Sequence, residues 1–233
     1  MQIHTGRNLI LKRSVNYQVN NEGGRVKSLQ TAVTAKAALL AWVVMICTAS
    51  QVMGADLQKG IDAYEKGDYA TALEEFKPLA EQGYADAQFG LALMYYEGTG
   101  VPQDHKEAIK WYTKAAEQGD ADAQYSLAWV FDRGIEVPQD YKEAVKWYTK
   151  AAEQGHASAQ YNLAWMYYDG EGVSQNFVHC YVWNSLAAAS GHKTAIINLE
   201  IVAKRLSSQQ LAEAQQLAAK IQYEIDNKSP SPN

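Results

Sequence analysis

The sequence predicts an all-α protein built as a solenoid, a stack of repeated helix pairs. The decamer KWYTKAAEQG stands at residues 110–119 and again at 146–155, which gives a repeat period of 36 residues. Within each period, apolar residues recur four positions apart in two separate runs, the spacing of one stripe on a helix. Glycine and proline separate the two runs, so each unit is predicted to contain two helices.

The first helix of each unit is marked by alanine, leucine and an aromatic residue at four-residue spacing. This spacing places the three side chains on one face of a helix. A glycine three residues further on predicts the end of the helix, because glycine adopts the left-handed conformation readily. In register, these residues are Ala87, Leu91, Tyr95 and Gly98; Ala123, Leu127, Phe131 and Gly134; Ala159, Leu163, Tyr167 and Gly170; and Ala195 and Leu199.

The second helix of each unit is marked by a tryptophan among small residues. Small side chains let neighbouring helices approach closely, and the indole fills the space between them. An Asp or Asn precedes each second helix as its N-cap, and Glu107 and Glu143, three residues after their caps, predict capping boxes. The caps are Asp68, Asp104, Asp140 and Asn176, and the stripes are Ala108, Trp111 and Ala115; Ala144, Trp147 and Ala151; and Cys180, Trp183 and Ala187.

The period also defines how the chain is organised. Residues 56–83 form a shortened first unit, and residues 84–206 form the longer repeats. A stack of open units needs a terminal helix that covers its apolar end, and residues 207–227 predict such a capping helix. Residues 228–233 are expected to be a disordered tail. The apolar face of the capping helix consists of Leu211, Ala214, Ala218 and Ile221.

Residues 1–55 predict an N-terminal tail and a signal peptide. Lys27 and Lys36 precede AALLAWVVMIC, an apolar run about as long as a signal-peptide core and short for a bilayer span. Small residues follow, and we expect cleavage after Ala55 or, alternatively, after Gly54. The mature protein would then be periplasmic or secreted. The alternative is an uncleaved segment that anchors the protein in the membrane.

Charge is distributed unevenly along the chain. After residue 55, acidic residues outnumber Lys and Arg by about ten. A net negative charge repels nucleic acid and anionic lipid, so neither is an expected partner. Cys180 is the one cysteine that follows the predicted cleavage site, so no internal disulfide is expected in the mature protein.

At its repeated positions, the chain resembles the Sel-one-like repeat (SLR) family, a branch of the tetratricopeptide-like helical repeats. The resemblance covers Tyr84 to Gly191, and residues 56–83 look more like a plain tetratricopeptide unit. It implies a right-handed superhelical scaffold that binds proteins or peptides and lacks catalytic activity. The matching positions are Ala87, Leu91, Tyr95, Gly98, Gly100, Val101, Asp104, Ala108, Trp111, Tyr112, Ala115, Ala116 and Gly119.

The chain departs from the family pattern in two loops. Glu136 stands where the second loop glycine is expected, and Ser174 stands where the loop proline is expected. Some exported relatives carry a cysteine pair in each repeat and have been linked to penicillin binding. Cys180 alone cannot provide such a pair, so the resemblance does not imply that activity for this chain.

One string in the sequence has a catalytic pattern. Ser190 and Lys193 fit the SxxK motif of penicillin-interacting enzymes, but they lie in a turn between units and no SDN or KTG partner is present. His156 and His192 stand at equivalent turn positions, where we expect exposed residues and not metal ligands. Cys180 replaces an alanine of the second stripe, so we expect it to be buried and structural. No enzymatic activity, metal or other cofactor is therefore predicted.

A second face of the first helices is rich in Tyr and Trp and is the predicted binding surface. By resemblance to tetratricopeptide units, it lines a concave groove for a protein or peptide. Glu97, Asp132 and Asp169 at its edge favour a partner with apolar and basic residues. The alternative is that this face packs against a second helix, above all at Tyr125 and Tyr161. The predicted partner-binding residues are Phe89, Leu93, Tyr96, Tyr125, Trp129, Asp132, Tyr161, Trp165 and Tyr168.

The sequence therefore predicts an exported scaffold for protein–protein or protein–peptide interaction. Two other functions stay open at this point. One is an envelope hydrolase that acts on peptidoglycan or a β-lactam, which turnover of a reporter substrate would reveal. The other is a self-assembling structural protein whose end units stack between chains, which the mass in solution would reveal.

Overall fold

The computed structural model describes residues 55–228, and within this range the chain forms ten α-helices. In order, they are α1 Leu57–Lys66, α2 Tyr69–Glu81, α3 Ala85–Glu97, α4 His105–Glu117, α5 Ala121–Arg133, α6 Tyr141–Ala152, α7 Ala157–Asp169, α8 Phe177–Ala189, α9 Lys193–Ala203 and α10 Ser208–Lys228. The prediction of an all-α chain of consecutive helix pairs is confirmed over these residues. The chain divides into two compact units. The first ends at Ala123 and the second begins at Gln124, so the boundary lies inside α5.

Some of the predicted segments fall outside this range. The predicted signal peptide and its cleavage sites after Gly54 or Ala55 lie outside the described residues or at their edge, and residues 229–233 of the predicted tail lie outside them. Lys228 is the last residue of α10, so that helix reaches one residue further than predicted. Among the helices between residues 55 and 228, none has both the length and the apolar character that a membrane span needs.

The second helices begin at the predicted N-caps. The Asp104 side chain accepts hydrogen bonds from two backbone N–H groups of the first turn, at 3.0 Å each, and Asp140 repeats this arrangement. The predicted capping boxes are wrong. The Asp104 backbone N–H donates to the Tyr95 carbonyl, 2.9 Å away, and the Glu107 carboxylate instead pairs with Lys110. Because the loop returns to the end of the first helix, the N–H of the cap is already satisfied.

The turn inside each repeat has two residues in the left-handed conformation, two positions apart, and Gly172 is the second of them in its repeat. Gly172 has a φ of 71°, and a Cβ atom there would lie 2.3 Å from the Tyr141 carbonyl oxygen, so glycine is required. Glu136, at the equivalent position of the preceding repeat, has a φ of 56°. A side chain in this conformation costs roughly 1 kcal/mol relative to glycine. The loop therefore keeps its left-handed residue although the glycine is lost.

In the first unit, α1 packs on α2, α2 on α3, and α3 on α4. Phe76 of α2 is completely buried among them. Two glycines make room for its ring, since a Cβ atom at Gly60 or Gly90 would lie 2.8 or 2.9 Å from the ring atoms. Burial of a phenylalanine side chain contributes about 2–3 kcal/mol, so this ring is a main source of stability for the shortened first repeat.

In the second unit, α6 packs on α7, α7 on α8, and α8 on both α9 and α10. Ala214 and Ala218 of α10 are buried, as the amphipathic pattern predicts. Ile225, near the end of α10, lies 3.2 Å from the position that a Cβ atom would take at Gly155. The predicted capping helix therefore lies along α8, while α9 keeps three exposed isoleucines.

Candidate functional site

The nine predicted binding residues fall into two groups by exposure. Phe89, Leu93 and Tyr161 are buried, with 3–5% of their surface exposed. They belong to the interior and do not offer the groove lining that was predicted for them. The other six are half-buried and can present part of their surface to a partner: Tyr96, Tyr125, Trp129, Asp132, Trp165 and Tyr168.

In the first unit, the predicted residues pack against α4. The Phe89 and Tyr112 ring centroids lie 5.8 Å apart, and those of Tyr96 and Tyr112 lie 6.5 Å apart. Tyr96 also stacks on His105, the first residue of α4, with the ring centroids 5.0 Å apart. These contacts agree with the alternative in which this face packs against a second helix.

In the second unit, Tyr125 and Tyr161 are likewise engaged by neighbouring helices. The Tyr125 ring lies 5.9 Å from the Tyr148 ring of α6 and 4.6 Å from the His156 ring, measured between centroids. Tyr161 stacks on His192 at 4.2 Å and shares a buried cluster with Ala187. Both tyrosines therefore contribute to packing between successive repeats.

His156 and His192 are N-caps of the first helices that follow them. The Nδ1 atoms accept hydrogen bonds from the backbone N–H of Ala159 and Ala195, at 3.1 and 3.3 Å. The prediction of an exposed His192 is wrong, because its ring is 8% exposed beneath Tyr161. Burial lowers the pKa of His192 to about 4, so the imidazole is neutral and can accept the capping bond.

Asp120 takes the same cap position in the first unit. Its carboxylate accepts a hydrogen bond from the Ala123 backbone N–H at 2.6 Å. Burial, with the negative charges of Asp122 and Asp86 nearby, raises the pKa of Asp120 to about 7. The same N-cap position is thus filled by an acid, Asp120, and by a base, His192, and burial favours the neutral form of both.

Three half-buried rings form a contiguous surface in the second unit, which we call the aromatic patch: Trp165, Tyr168 and Phe177. The ring centroids of Trp165 and Tyr168 lie 5.3 Å apart, and those of Tyr168 and Phe177 lie 5.5 Å apart, both edge to face. The Arg205 guanidinium lies 5.6 Å from the Phe177 ring centroid. Edge-to-face contacts fix the rings relative to one another, so the patch is an ordered, largely apolar surface.

Phe177 and Arg205 are absent from the predicted set. Phe177 is the first residue of α8, directly after the N-cap, and it aligns with Tyr141 and His105 of the preceding repeats. The repeat register could therefore have identified it. Arg205 follows α9, outside the repeat pattern, so no periodic signal marks it.

Trp129 and Asp132 lie on α5 of the second unit, and both are half-buried. The Tyr148 hydroxyl donates to the Asp132 carboxylate at 3.4 Å, and the Arg133 side chain lies 3.6 Å from it. Burial raises the pKa of Asp132 above its usual value. This carboxylate is therefore engaged within the chain.

The predicted acidic edge is only partly available to a partner. The Tyr64 hydroxyl donates a hydrogen bond to the Glu97 carboxylate, so Glu97, like Asp132, has an internal partner. Asp169, the last residue of α7, is exposed. Of the three predicted carboxylates, Asp169 is thus the one whose charge faces solvent.

The residues with a catalytic pattern have structural positions. Ser190 is the C-cap of α8, and Lys193 is the first residue of α9. Cys180 is buried, as predicted, and burial raises the pKa of its thiol to about 12. Within residues 55–228, no three His, Cys, Asp or Glu side chains are grouped so that they could hold a metal ion.

Comparison with known proteins places the repeats. The Sel1 repeat family profile matches residues 85–120, 121–156 and 157–192. The crystal structure of a Sel1 repeat protein from Oxalobacter formigenes is similar, with a TM-score of 0.61 and 33% identity over 63% of this chain and 60% of that protein. The matched part is thus less than two thirds of that protein's length. No curated protein sequence matches the chain significantly.

Two further solved structures show lower similarity. One is a protective antigen of uropathogenic Escherichia coli with an SLR fold, at a TM-score of 0.45 and 25% identity, over 86% of this chain and 52% of the antigen. The other is cysteine rich protein B of Helicobacter pylori, at a TM-score of 0.43 and 21% identity, over 61% of this chain and 96% of that protein.

The profile boundaries agree with the helix pairs. Each matched segment begins at the first residue of a first helix, namely Ala85, Ala121 and Ala157, and ends at the cap of the next one. Sel1 repeats form helical scaffolds for protein–protein interaction. The chain therefore carries three consecutive Sel1 repeats.

Proposed function

We propose that this protein is an exported scaffold that binds a protein or peptide partner through the aromatic patch. The observation that carries the proposal is the contiguous arrangement of Trp165, Tyr168 and Phe177, whose half-buried rings are ordered by edge-to-face contacts. Tyr and Trp side chains bury much area at small entropic cost, and they dominate the binding energy of many interfaces.

The residues around the patch favour a partner of mixed character. An aromatic or aliphatic side chain of the partner would pack on the exposed parts of the three rings. Asp169, next to Tyr168 in sequence, has an exposed carboxylate that would attract a basic residue beside this apolar anchor. A short segment with an apolar residue close to Lys or Arg is therefore the expected ligand.

The proposal includes no catalytic step. Ser190 is the C-cap of α8, Lys193 is the first residue of α9, and the Cys180 thiol is buried with a raised pKa, so neither Ser190 nor Cys180 is arranged as an activated nucleophile. Turnover of a chromogenic β-lactam by the purified protein, lost on Ser190→Ala, would contradict this part of the proposal.

The export part of the proposal is based on the N-terminal sequence alone. The basic tail and the apolar core before residue 55 predict secretion. N-terminal sequencing of the protein recovered from a periplasmic fraction tests this, and a mature chain that begins at Asp56 is the expected result. Recovery of the intact chain in the membrane fraction would favour the anchored form.

The chain itself supplies substitutions that alter the patch and preserve the repeat. Leu93 and Asp132 stand at the positions of Trp165 and Tyr168 in other repeats, so the double variant Trp165→Leu, Tyr168→Asp uses residues that this architecture already accepts. Tyr167→Phe is the matched control, because Phe131 takes that position one repeat earlier and Tyr167 lies on the other stripe of α7.

Peptides selected from a displayed random library on the full-length protein provide the probe. We expect the selected peptides to combine an apolar anchor with a basic residue, to bind the Tyr167→Phe control unchanged, and to lose at least about tenfold in affinity for the double variant. Circular dichroism checks that both variants keep their helices. Equal binding to the folded double variant would place the site elsewhere and contradict the proposal.

A further inference from the structure

Helix α9 presents an aliphatic surface to solvent, which we call the α9 face. It consists of Ile196, Ile197 and Ile201, which are 52%, 62% and 49% exposed. In the range that the structure describes, only two other large hydrophobic side chains are exposed, Tyr84 and Tyr223. Single exposed apolar residues are common on proteins, but three of them on one helix form a patch that calls for an explanation.

Two of the three repeat positions are buried in the preceding first helix, α7, while Trp165, the counterpart of Ile201, is half-buried. Gln160, the counterpart of Ile196, is 1% exposed, and its side-chain amide donates to the Ala152 carbonyl at 3.0 Å. Tyr161, the counterpart of Ile197, is buried against Ala187 of α8 and His192. In α7, Gln160 is therefore covered by α6 of the preceding repeat, and Tyr161 is covered by the second helix of its own repeat and by the start of the next one.

After α9, the described chain does not provide an equivalent second helix. The next helix, α10, packs along α8, where it buries Ala214 and Ala218 and reaches Gly155 through Ile225. The α9 face thus includes repeat positions that are buried in α7, but in α9 these positions are exposed to solvent, as at the end of a stack of helices.

The residues of the α9 face also differ from those of the earlier repeats. Gln88, Gln124 and Gln160 occupy the position of Ile196, and a glutamine there would suit a solvent-exposed surface. The chain instead carries an aliphatic residue at this exposed site. Such a change increases the apolar area in water, so the composition suits a surface that another chain covers.

The charges at the edge of the α9 face distinguish between two possible binding partners, a second copy of this chain and an acidic protein. Lys193 lies at one end of the face and Lys204 and Arg205 at the other, with Glu200 as the one carboxylate of α9, and all four are exposed. In an antiparallel pair of two α9 helices that brings Ile197 against Ile201, Lys193 would face Arg205, so a second copy is disfavoured by like charges. An acidic partner is favoured.

We propose that the α9 face binds an acidic amphipathic helix of a partner protein, which takes the position against α9 that α8 takes against α7. The partner helix would place small and aromatic residues on the isoleucines and carboxylates near the flanking cations. This surface consists of other residues than the aromatic patch, although Arg205 borders both, and the proposal goes beyond the function proposed for the patch.

A matched pair of helical peptides provides the probe. One has the α6 sequence, residues 141–152, which carries three lysines and one glutamate. The other has the same sequence with Lys142→Glu, Lys146→Glu and Lys150→Glu, so the apolar stripe is unchanged and only the charge is reversed. Each is fluorescently labelled, stabilised as a helix, and titrated with the full-length protein by fluorescence anisotropy.

We expect the acidic peptide to bind at least about tenfold more tightly than the basic one. The variant Ile197→Glu, Ile201→Glu should reduce its affinity by at least about tenfold, with helicity unchanged because both side chains are exposed. The double variant of the aromatic patch, Trp165→Leu, Tyr168→Asp, should bind it normally, which separates this proposal from the preceding one.

Three results would overturn the proposal. The acidic peptide could fail to bind at concentrations up to about 1 mM, or it could bind the folded Ile197→Glu, Ile201→Glu variant as well as the wild type. Alternatively, sedimentation could reveal a dimer of the wild-type protein that this variant abolishes, in which case a second copy occupies the α9 face.

Discussion

Helices α7 and α9 take the same position in successive repeats, yet their equivalent side chains differ in burial. In α7, Gln160 and Tyr161 are 1% and 4% exposed. Their counterparts in α9, Ile196 and Ile197, are 52% and 62% exposed. Tyr161 is covered by α8 and the start of α9, and Gln160 bonds to α6, whereas α10 packs on α8 and leaves this face of α9 open.

This comparison shows that a repeat position does not determine burial by itself. Each first helix has one face buried by its own repeat and one that depends on the following helices. In α7, the Gln160 amide bonds to a backbone carbonyl and the Tyr161 ring packs on neighbouring side chains, whereas the isoleucines of α9 are exposed because no such cover lies over them. Substitutions at paired positions measure how much of the stability comes from that cover.

The largest contrast is expected between Tyr161→Ala and Ile197→Ala. Removal of the buried Tyr161 ring leaves a cavity, so we expect the free energy of unfolding to fall by about 3–4 kcal/mol. Ile197 is mostly exposed, so its truncation should change the free energy of unfolding by less than about 0.5 kcal/mol. Urea denaturation followed by circular dichroism measures both values.

The control for this contrast is Val202→Ala on α9, because Val202 is 2% exposed. A loss of about 1–2 kcal/mol there would show that α9 is packed on its inner face and open on its outer face. If Ile197→Ala were as costly as Tyr161→Ala, the outer face would be covered in solution, and the comparison between α7 and α9 would fail.

The N-cap that covers Tyr161 predicts a pH dependence. Burial lowers the pKa of His192 from 6.5 to about 4 in the folded protein, so between these values the unfolded chain binds the proton more readily. Stability contributed by the neutral imidazole is fully present above pH 6.5 and is lost as the pH falls towards 4. We expect a loss of roughly 3 kcal/mol from this group, measured by urea denaturation at a series of pH values.

His192→Asn provides the control for this pH dependence, because asparagine is an effective N-cap that does not titrate. The difference in stability between the wild type and this variant isolates the histidine from other groups, such as Asp120, whose raised pKa acts in the opposite direction. A wild type and a variant with the same slope between pH 6.5 and 4 would show that His192 is accessible to solvent.

A reciprocal exchange tests the polar position of the comparison. Gln160→Ile removes the side-chain donor to the buried Ala152 carbonyl, so we expect a loss of about 1–3 kcal/mol. Ile196→Gln restores the residue of the earlier repeats at an exposed site, and we expect a change within about 0.5 kcal/mol. Thermal unfolding of the two variants gives the comparison, and equal losses would contradict it.

The smallest expected effect concerns the second helices. The Lys150 ammonium lies 4.2 Å from the Trp147 ring centroid, while the equivalent residue beside Trp183 is Leu186. Lys150→Ala should lower stability by about 0.5–1 kcal/mol through loss of this cation–π contact. Lys142→Ala is the control, because Lys142 lies on the same helix and away from the Trp147 ring. The two variants should differ in the urea concentration at the midpoint of unfolding. Identical midpoints would contradict a stabilising cation–π contact at Lys150.

Local features of the helices could be predicted from the sequence because they depend on near neighbours. Asp104 and Asp140 cap second helices as expected, and Gly98 adopts the left-handed conformation. The capping boxes could not be predicted, since the N–H of Asp104 donates to the Tyr95 carbonyl across a folded loop. Sequence spacing identified the cap, but the loop path decided its hydrogen-bond partner.

The candidate site was predicted less completely than the helices. Trp165 and Tyr168 are half-buried and lie on the second face of the first helices, where the binding surface was predicted. Phe89 and Tyr161, on the same predicted face, are buried by neighbouring helices. Phe177 completes the aromatic patch from a different helix. A stripe on one helix shows which side chains share a face, but it does not show how much of that face the next helix covers.

The sequence by itself determined the period, the helix pairs, their caps and the small residues at which helices meet, because these depend on local conformation and on side-chain size. Only the tertiary structure decided that α10 packs along α8, that His192 is a buried neutral cap, and that Ile196, Ile197 and Ile201 are exposed. The physical reason is that burial depends on which distant surfaces meet, and an amphipathic helix such as α10 can cover any exposed apolar face of suitable shape.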